Sequence, residues 1–378
     1  MRTASLAWAF PLALMSASLV PAQEPSPKAK PSEEILQRAR QLQQQIGEQF
    51  KGKKYEEAAA SCRELIKLLP DHTASHYNLA CALARLNKTD DALASLGKAV
   101  DAGYADPAHM QKDEDLEKLR EDKRFAELLA KARGNRLKAI ARLPYDKGAE
   151  IAGIKTIEGN PEDGLRYRLR LSEKATAEKP HRLVVWLHPS GGSMNNVVEA
   201  LAPSLSEHGF ALLVLTQKQF AGWSEDDATC LMEKTLPEAG RNKEIDVRRP
   251  ILMGYSAGGQ MALELWYADP TKWGGLVLDA AYPVRQENGK FVPRPLPKNA
   301  GIKMVPLLVL VGDQDGGSAL WKKLTPEWRE AGVPLTIRHV EGKGHTWLFG
   351  KAEVTLLEMW LDEVGAGKFP SNPPGKEP

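Results

Sequence analysis

The sequence predicts an α/β protein: a doubly wound, mostly parallel sheet preceded by a small all-α domain of helical repeats. Two observations carry this. Between residues 150 and 366, short continuous apolar runs alternate with helical stretches, as in a parallel sheet covered on both faces. Between residues 33 and 132, apolar residues recur instead at helical spacing with almost no strand signal.

A chain of 378 residues is long enough for two domains. Fifty-one basic against forty-nine acidic residues leave a net charge of +2, which gives no reason to expect nucleic acid or an anionic membrane as partner. The opening MRTASLAWAFPLALMSASLVPA has Arg2, an apolar run from Leu6 to Val20 and small residues around Ala22. Residues 1–22 are therefore expected to be a signal peptide cleaved after Ala22, and the chain to be exported, periplasmic or secreted. As a membrane anchor the run falls short of the ~20 residues a span needs and contains Pro11, and no Cys follows it for lipid attachment. No other stretch could cross a bilayer, so the mature chain is expected to lack a span.

Cys62, Cys81 and Cys230 make no disulfide framework and show no metal-ligand spacing. At most one pair can form, Cys62 with Cys81; the alternative is three small buried apolar residues.

Residues 23–32, QEPSPKAKPS, are expected to form a linker. In the helical part, Tyr55, Ala58, Ala59, Cys62 and Leu65 form one series; Ala92, Leu96 and Ala99 repeat it 34 residues later. The period and the small–large alternation resemble tetratricopeptide repeats, although the Trp that often opens them is missing. The resemblance implies a surface for a protein partner, or else a spacer. DEDLEKLREDKRFAELLAKA has the charged outer face of a closing pair. Residues 133–149, basic and irregular, are expected to form a second linker, and residues 367–378 a disordered tail.

LRYRLRL at 165–171 alternates with period two, like a half-buried strand near a sheet edge. Strands are also expected at 183–187, 211–215, 251–253, 276–278 and 307–311, and helices at 194–207, 226–240, 257–268 and 352–364.

In an open parallel sheet, ligands sit where strands end and helices begin. After ILM comes Gly254-Tyr255-Ser256-Ala257-Gly258 and then a helix-forming run. A serine on so tight a turn needs small neighbours, and the two glycines supply the room. The pattern resembles the nucleophile elbow of the α/β-hydrolase family, with Ser256 as nucleophile.

A serine hydroxyl needs a base to take its proton. Two histidines follow Ser256. His339 lies within the strand-like VPLTIRHV, whereas His345 lies in the glycine-flanked loop EGKGH. A loop can bring an imidazole over the serine, so His345 is the expected base. Asp313, Asp315 and Asp279 each follow an apolar run and could orient it. Among these the resemblance implies Asp315, with Asp313 shaping the turn.

The developing oxyanion needs two donors. One is the backbone N–H of Ala257. The resemblance places the other in His188-Pro189-Ser190-Gly191, after the first apolar run. Relatives often carry His-Gly at the start of this loop. Pro189 stands there instead and has no N–H, so the donor falls to Ser190, or less directly to Gly191. His188 is expected to brace the loop.

Residues 150–366 look most similar to compact esterases of the dienelactone hydrolase, phospholipase/carboxylesterase and feruloyl or polyhydroxybutyrate esterase groups. That resemblance implies a cofactor-free hydrolase of small or polymeric esters working through an acyl-enzyme. A peptidase on the same triad, or an inert scaffold, are the alternatives. The stretch from Tyr282 to Met304 is the only insertion long enough to roof the site.

Overall fold

A computed structural model describes residues 32–371 apart from 143–144, 163, 218–221 and 288–289. The expected signal peptide, nearly all of the first linker and most of the tail therefore lie outside the described residues. Among the described residues, no helix is long and apolar enough to cross a membrane.

The N-terminal part is helical throughout: α1 Glu33–Lys51, α2 Tyr55–Leu68, α3 Thr73–Arg85, α4 Thr89–Asp101, α5 Pro107–Lys112, a 3-10 turn Glu114–Leu119 and α6 Lys123–Ala141. Ser32 caps α1 by accepting from the Ile35 N–H at 3.3 Å, next to Glu33 and Glu34 in the first turn, where the helix dipole favours acid. The 34-residue correspondence is visible in the packing: Ala58 and Ala92, Cys62 and Leu96, Leu65 and Ala99 are all fully or almost fully buried. Alanine at Ala58, Ala92 and Ala99 leaves room for adjacent helices, while Leu65 and Leu96 fill the space between them. Cys62 and Cys81 are buried and Cys230 is half-buried, none of them in a disulfide, so of the two readings open to the sequence the unpaired one holds. Burial pushes the Cys62 thiol up to about 12, so it packs as a small apolar group, while the Cys81 thiol donates to Asp113 Oδ2 at 3.6 Å.

The segment 133–149 is not the irregular link its composition suggests. Its first part continues α6 to Ala141, and two of its basic residues pair with carboxylates of the later chain: Arg133 meets Asp226 at 2.6 Å and Arg136 meets Asp227 at 2.9 Å. Its last part lies on the sheet, where Tyr145 bridges Gln217 and the Asp146 N–H donates to Thr216 O.

The sheet contains β1 Ile154–Gly159, β2 Tyr167–Ser172, β3 His181–Leu187, β4 Phe210–Leu215, β5 Ile245–Tyr255 and β6 Gly275–Asp279. A separate hairpin, β7 Val284–Glu287 and β8 Lys290–Pro293, precedes its last strands, β9 Leu307–Gly312 and β10 Leu335–Val340. The eight-stranded order is β1-β2-β4-β3-β5-β6-β9-β10. Pairing is antiparallel for β1–β2 and β2–β4 and parallel everywhere else. This is the doubly wound, mostly parallel sheet of the α/β-hydrolase fold, preceded by a helical region.

Alternate residues of each strand feed two cores. Leu183, Val185 and Leu187 of β3 join Trp266, Trp321 and Trp328 on one face; Val184 and Trp186 join Leu205, Trp360 and Leu361 on the other. The helices over these faces are α7 Asn195–Val198, α8 Ala202–Glu207, α9 Glu225–Cys230, α10 Leu236–Ala239, α11 Ala257–Ala268, α12 Gly316–Glu330 and α13 Lys351–Gly365, with a π turn, Leu231–Thr235, joining α9 to α10.

β2 departs from the half-buried strand its alternation suggests. Arg168 and Arg170 are buried. Both Nε atoms donate to Glu199, at 2.7 and 3.0 Å, while Arg168 also reaches the Asp146 carbonyl (2.7 Å) and carboxylate (3.0 Å). A period-two pattern assumes that charge means solvent; here each guanidinium is desolvated and paired instead.

Candidate active site

β5 runs between β3 and β6 in the middle of the sheet, and α11 starts one residue after its end. The residue between is Ser256, with φ 52° and ψ −117°. A non-glycine residue with positive φ carries about 1–3 kcal/mol of backbone strain and is held there by its surroundings. Two close approaches explain the flanking glycines. A Cβ on Gly258 would lie 1.7 Å from Leu187 O, and one on Gly254 would lie 2.4 Å from Gly258 C. Only glycine lets the turn press against β3.

The loop between β10 and α13 brings His345 over this turn, and Ser256 Oγ lies 2.9 Å from His345 Nε2. The loop is anchored from below: the Gln314 N–H donates to Lys343 O at 2.9 Å, and the Leu348 N–H to Asp279 Oδ2 at 3.1 Å. Asp315 caps α12 by accepting from the Gly317 N–H at 3.1 Å. Its other oxygen lies 2.9 Å from His345 Nδ1. With Nδ1 donating to the carboxylate, Nε2 is left as an acceptor for the serine proton. Burial would raise the Asp315 pKa, but hydrogen bonds from Tyr282, the Gly317 N–H and His345 outweigh it and hold the carboxyl below its ordinary value.

Of the three aspartates considered, only Asp315 has a hydrogen bond to His345 in the structure. Asp313 is exposed, and its N–H donates to Val340 O, joining the turn to β10. Asp279 is buried beneath the loop; burial, with the nearby charge of Asp315 adding and the Leu348 N–H opposing, pushes its carboxyl well above the ordinary range. His339 lies in β10, 2.9 Å from Ser318 Oγ.

On the oxyanion side, Ala257 is the first residue of α11, where a backbone N–H has no acceptor within the helix. Ser190 lies exposed in the loop after β3, next to Gly191 at φ 85°. His188 is buried, with Nδ1 donating to Pro189 O at 2.7 Å. Its ring stacks on Trp223 at 4.6 Å, and Trp223 Nε1 donates to His188 O at 2.9 Å. Burial pushes the His188 pKa down to about 4, so the ring stays neutral at physiological pH and packs as a wall.

Ser256, Ala257, Asp315 and His345 open into a cavity of about 630 Å³, walled mainly by apolar atoms that include Ala280, Val284, Leu320 and Phe291. Ser190 is not among the residues lining it. Val284 and Phe291 come from the β7–β8 hairpin, within the stretch expected to roof the site, and Phe291 is 76% exposed at its rim.

Two neighbours were not read from the sequence. Trp223 carries no signal beyond being an aromatic in a loop. Tyr282, three residues past the end of β6, places its hydroxyl against both Asp315 and His345.

The chain matches no protein-family model. It is 36% identical over 104 residues to a chloroplast protein of Arabidopsis thaliana, covering 26% of this chain and 30% of that protein. It is 31% identical over 107 residues to a probable feruloyl esterase C of Aspergillus flavus, covering 26% of this chain and 40% of that protein. The chain thus spans less than half the length of these curated relatives. A solved ferulic acid esterase superposes with a TM-score of 0.44 at 16% identity, over 57% of this chain and 98% of that one.

Proposed function

We propose that this chain is a serine hydrolase of carboxylic esters. The observation that carries the proposal is the continuous line from Ser256 Oγ to His345 Nε2 and from His345 Nδ1 to Asp315, each step 2.9 Å, at the mouth of an apolar cavity. Ser256 Oγ attacks the ester carbonyl while His345 takes its proton, and Asp315 supports the imidazolium that forms. The N–H groups of Ala257 and Ser190 receive the oxyanion. The proton then passes to the departing alkoxide, leaving an acyl-enzyme. Water, activated by the same histidine, releases the acid. No step calls on a metal or cofactor. The match to a probable feruloyl esterase supports an ester rather than an amide as the scissile bond.

The leading residues 1–22 support export, and the 34-residue helical correspondence supports a tetratricopeptide-like surface for a protein partner.

Ser256→Ala tests the core of the proposal. The expected loss on p-nitrophenyl acetate is on the order of 10³-fold or more, with labelling by a fluorophosphonate probe abolished and the melting curve unchanged. A folded Ser256→Ala protein that keeps near-normal turnover would overturn it.

A further inference from the structure

We infer that Tyr282 is a positioning residue of this site, its phenol bridging the acid and the base as a third member of their hydrogen-bonded cluster. The inference rests on the proposed roles of Ser256, His345 and Asp315. Tyr282 Oη lies 2.6 and 2.7 Å from the two carboxylate oxygens of Asp315 and 2.7 Å from His345 Nδ1. His345 Nδ1 is also 2.9 Å from Asp315 Oδ2. Three polar groups from three elements thus meet within hydrogen-bond distance: the end of β6, the cap of α12 and the loop before α13.

The donor count allows one arrangement that satisfies all three. A phenol has one proton and acceptor capacity on the same oxygen, an ionised carboxylate only accepts, and Nδ1 has one proton to give. Tyr282 donates to Asp315, and the Nδ1 proton is shared between Asp315 Oδ2 and the phenol oxygen. The imidazolium formed during acylation then faces two acceptors instead of one, and the carboxylate gains a second fixed donor beside the Gly317 N–H. The phenol keeps its proton throughout, and the serine proton still goes to Nε2.

The backbone makes room for this contact. A Cβ at Gly317 would lie 1.8 Å from the Tyr282 ring, so the second residue of α12 has to be glycine for the ring to reach the carboxylate. Tyr255, whose ring is 5.7 Å from His345, and Asp279 beneath the loop also face the cluster, and the charged Glu264 and Arg285 line the same cavity. Burial favours the neutral form of Tyr255 and of Asp279.

Tyr282→Phe removes the hydroxyl and keeps the ring. The expected result with full-length protein and p-nitrophenyl acetate is a fall of roughly tenfold in kcat with KM within about twofold, the size of one lost hydrogen bond to a developing charge. Without the phenol oxygen the imidazolium loses one of its two acceptors. The Nδ1 proton of His345, followed by NMR on histidine-labelled protein at low pH, should shift as well, and this readout does not depend on turnover. Ser256→Ala, run in parallel, separates the two levels. If it stays active, the serine hydrolase proposal itself fails. If it is dead while Tyr282→Phe keeps wild-type kcat and Nδ1 resonance, the role of Tyr282 is overturned, and a lowered melting temperature with both unchanged overturns it equally.

Discussion

Replacing Asp315 by Asn separates two jobs of one side chain. The first job is structural: Asp315 caps α12 through the Gly317 N–H at 3.1 Å. Asn is about as good an N-cap as Asp, so the expected cost is below about 1 kcal/mol, or less than about 2 °C in melting temperature for a protein of this size. The second job is to hold His345 Nδ1 at 2.9 Å. An amide turned with its NH₂ toward Nδ1 selects the tautomer with the proton on Nε2, which cannot accept from Ser256. In a serine protease the same change costs about 10⁴-fold in kcat, and a similar loss is expected here. The folded-state pKa of Asp315 is lowered, so its ionised form stabilises the protein above the unfolded value near 3.9. That contribution is lost as pH falls through the folded value. The melting-temperature gap between wild type and Asp315→Asn should therefore be present at pH 7 and close below about pH 4. The assay is p-nitrophenyl acetate hydrolysis alongside thermal melts, with Asp313→Asn as the comparison, expected within about threefold of wild type. The reasoning is refuted if Asp315→Asn keeps more than about a tenth of the activity while a folded Asp313→Asn loses it.

Asp279→Asn is expected to leave turnover within several-fold, because Asp279 bonds the Leu348 N–H rather than His345. The raised folded pKa of Asp279 means that its contribution is complete below the unfolded value and is lost as pH rises, so thermal melts should show the variant gaining on wild type from about pH 4 upward; a gap that shrinks over that range would count against a buried neutral carboxyl. A chain beginning at Tyr145 should hydrolyse a small soluble ester at close to the full-length rate, since every proposed catalytic group lies after residue 188. One beginning at Lys147 should melt several degrees lower, because buried Arg168 loses both of its contacts to Asp146; equal melting temperatures for the two truncations would refute that account.

The elbow was legible because packing forces its spacing. Gly254 and Gly258 are required by backbone contacts of β5, α11 and β3, and such a requirement leaves a fixed mark in the sequence. His345 was legible for a similar reason, being the only downstream histidine in a glycine-flanked loop. Tyr282 was not. Its hydroxyl acquires a role only where the ends of three elements converge, and nothing local to residues 280–284 announces that. Arg168 and Arg170 were misread because alternation treats a charged residue as a solvated one, while their partner Glu199 lies some thirty residues away in sequence. β1, IKTIEG, and the β7–β8 hairpin were not picked out, because neither has a continuous apolar run to mark it.

The basic stretch after residue 132 shows the same limit, and with more consequence for the site. Read alone, its charge suggests a solvated link. In the structure, Arg136 reaches both carboxylate oxygens of Asp227 at 2.9 Å, and that carboxylate, itself buried, also accepts from the N–H and hydroxyl of Ser224 at 2.9 and 2.8 Å. The residue before Ser224 is Trp223, which stacks on His188 and donates to its carbonyl. His188 begins the loop that carries Ser190. An unbroken run of contacts therefore joins the last helix of the N-terminal region to the oxyanion side of the site. Removing that helix takes one partner from Asp227 and leaves two, so the wall behind His188 keeps its own cap. That is why near-normal chemistry is expected of the chain beginning at Tyr145 even though the two parts touch. Independence in catalysis here follows from redundancy at Asp227, since the helices are not physically separate from the sheet.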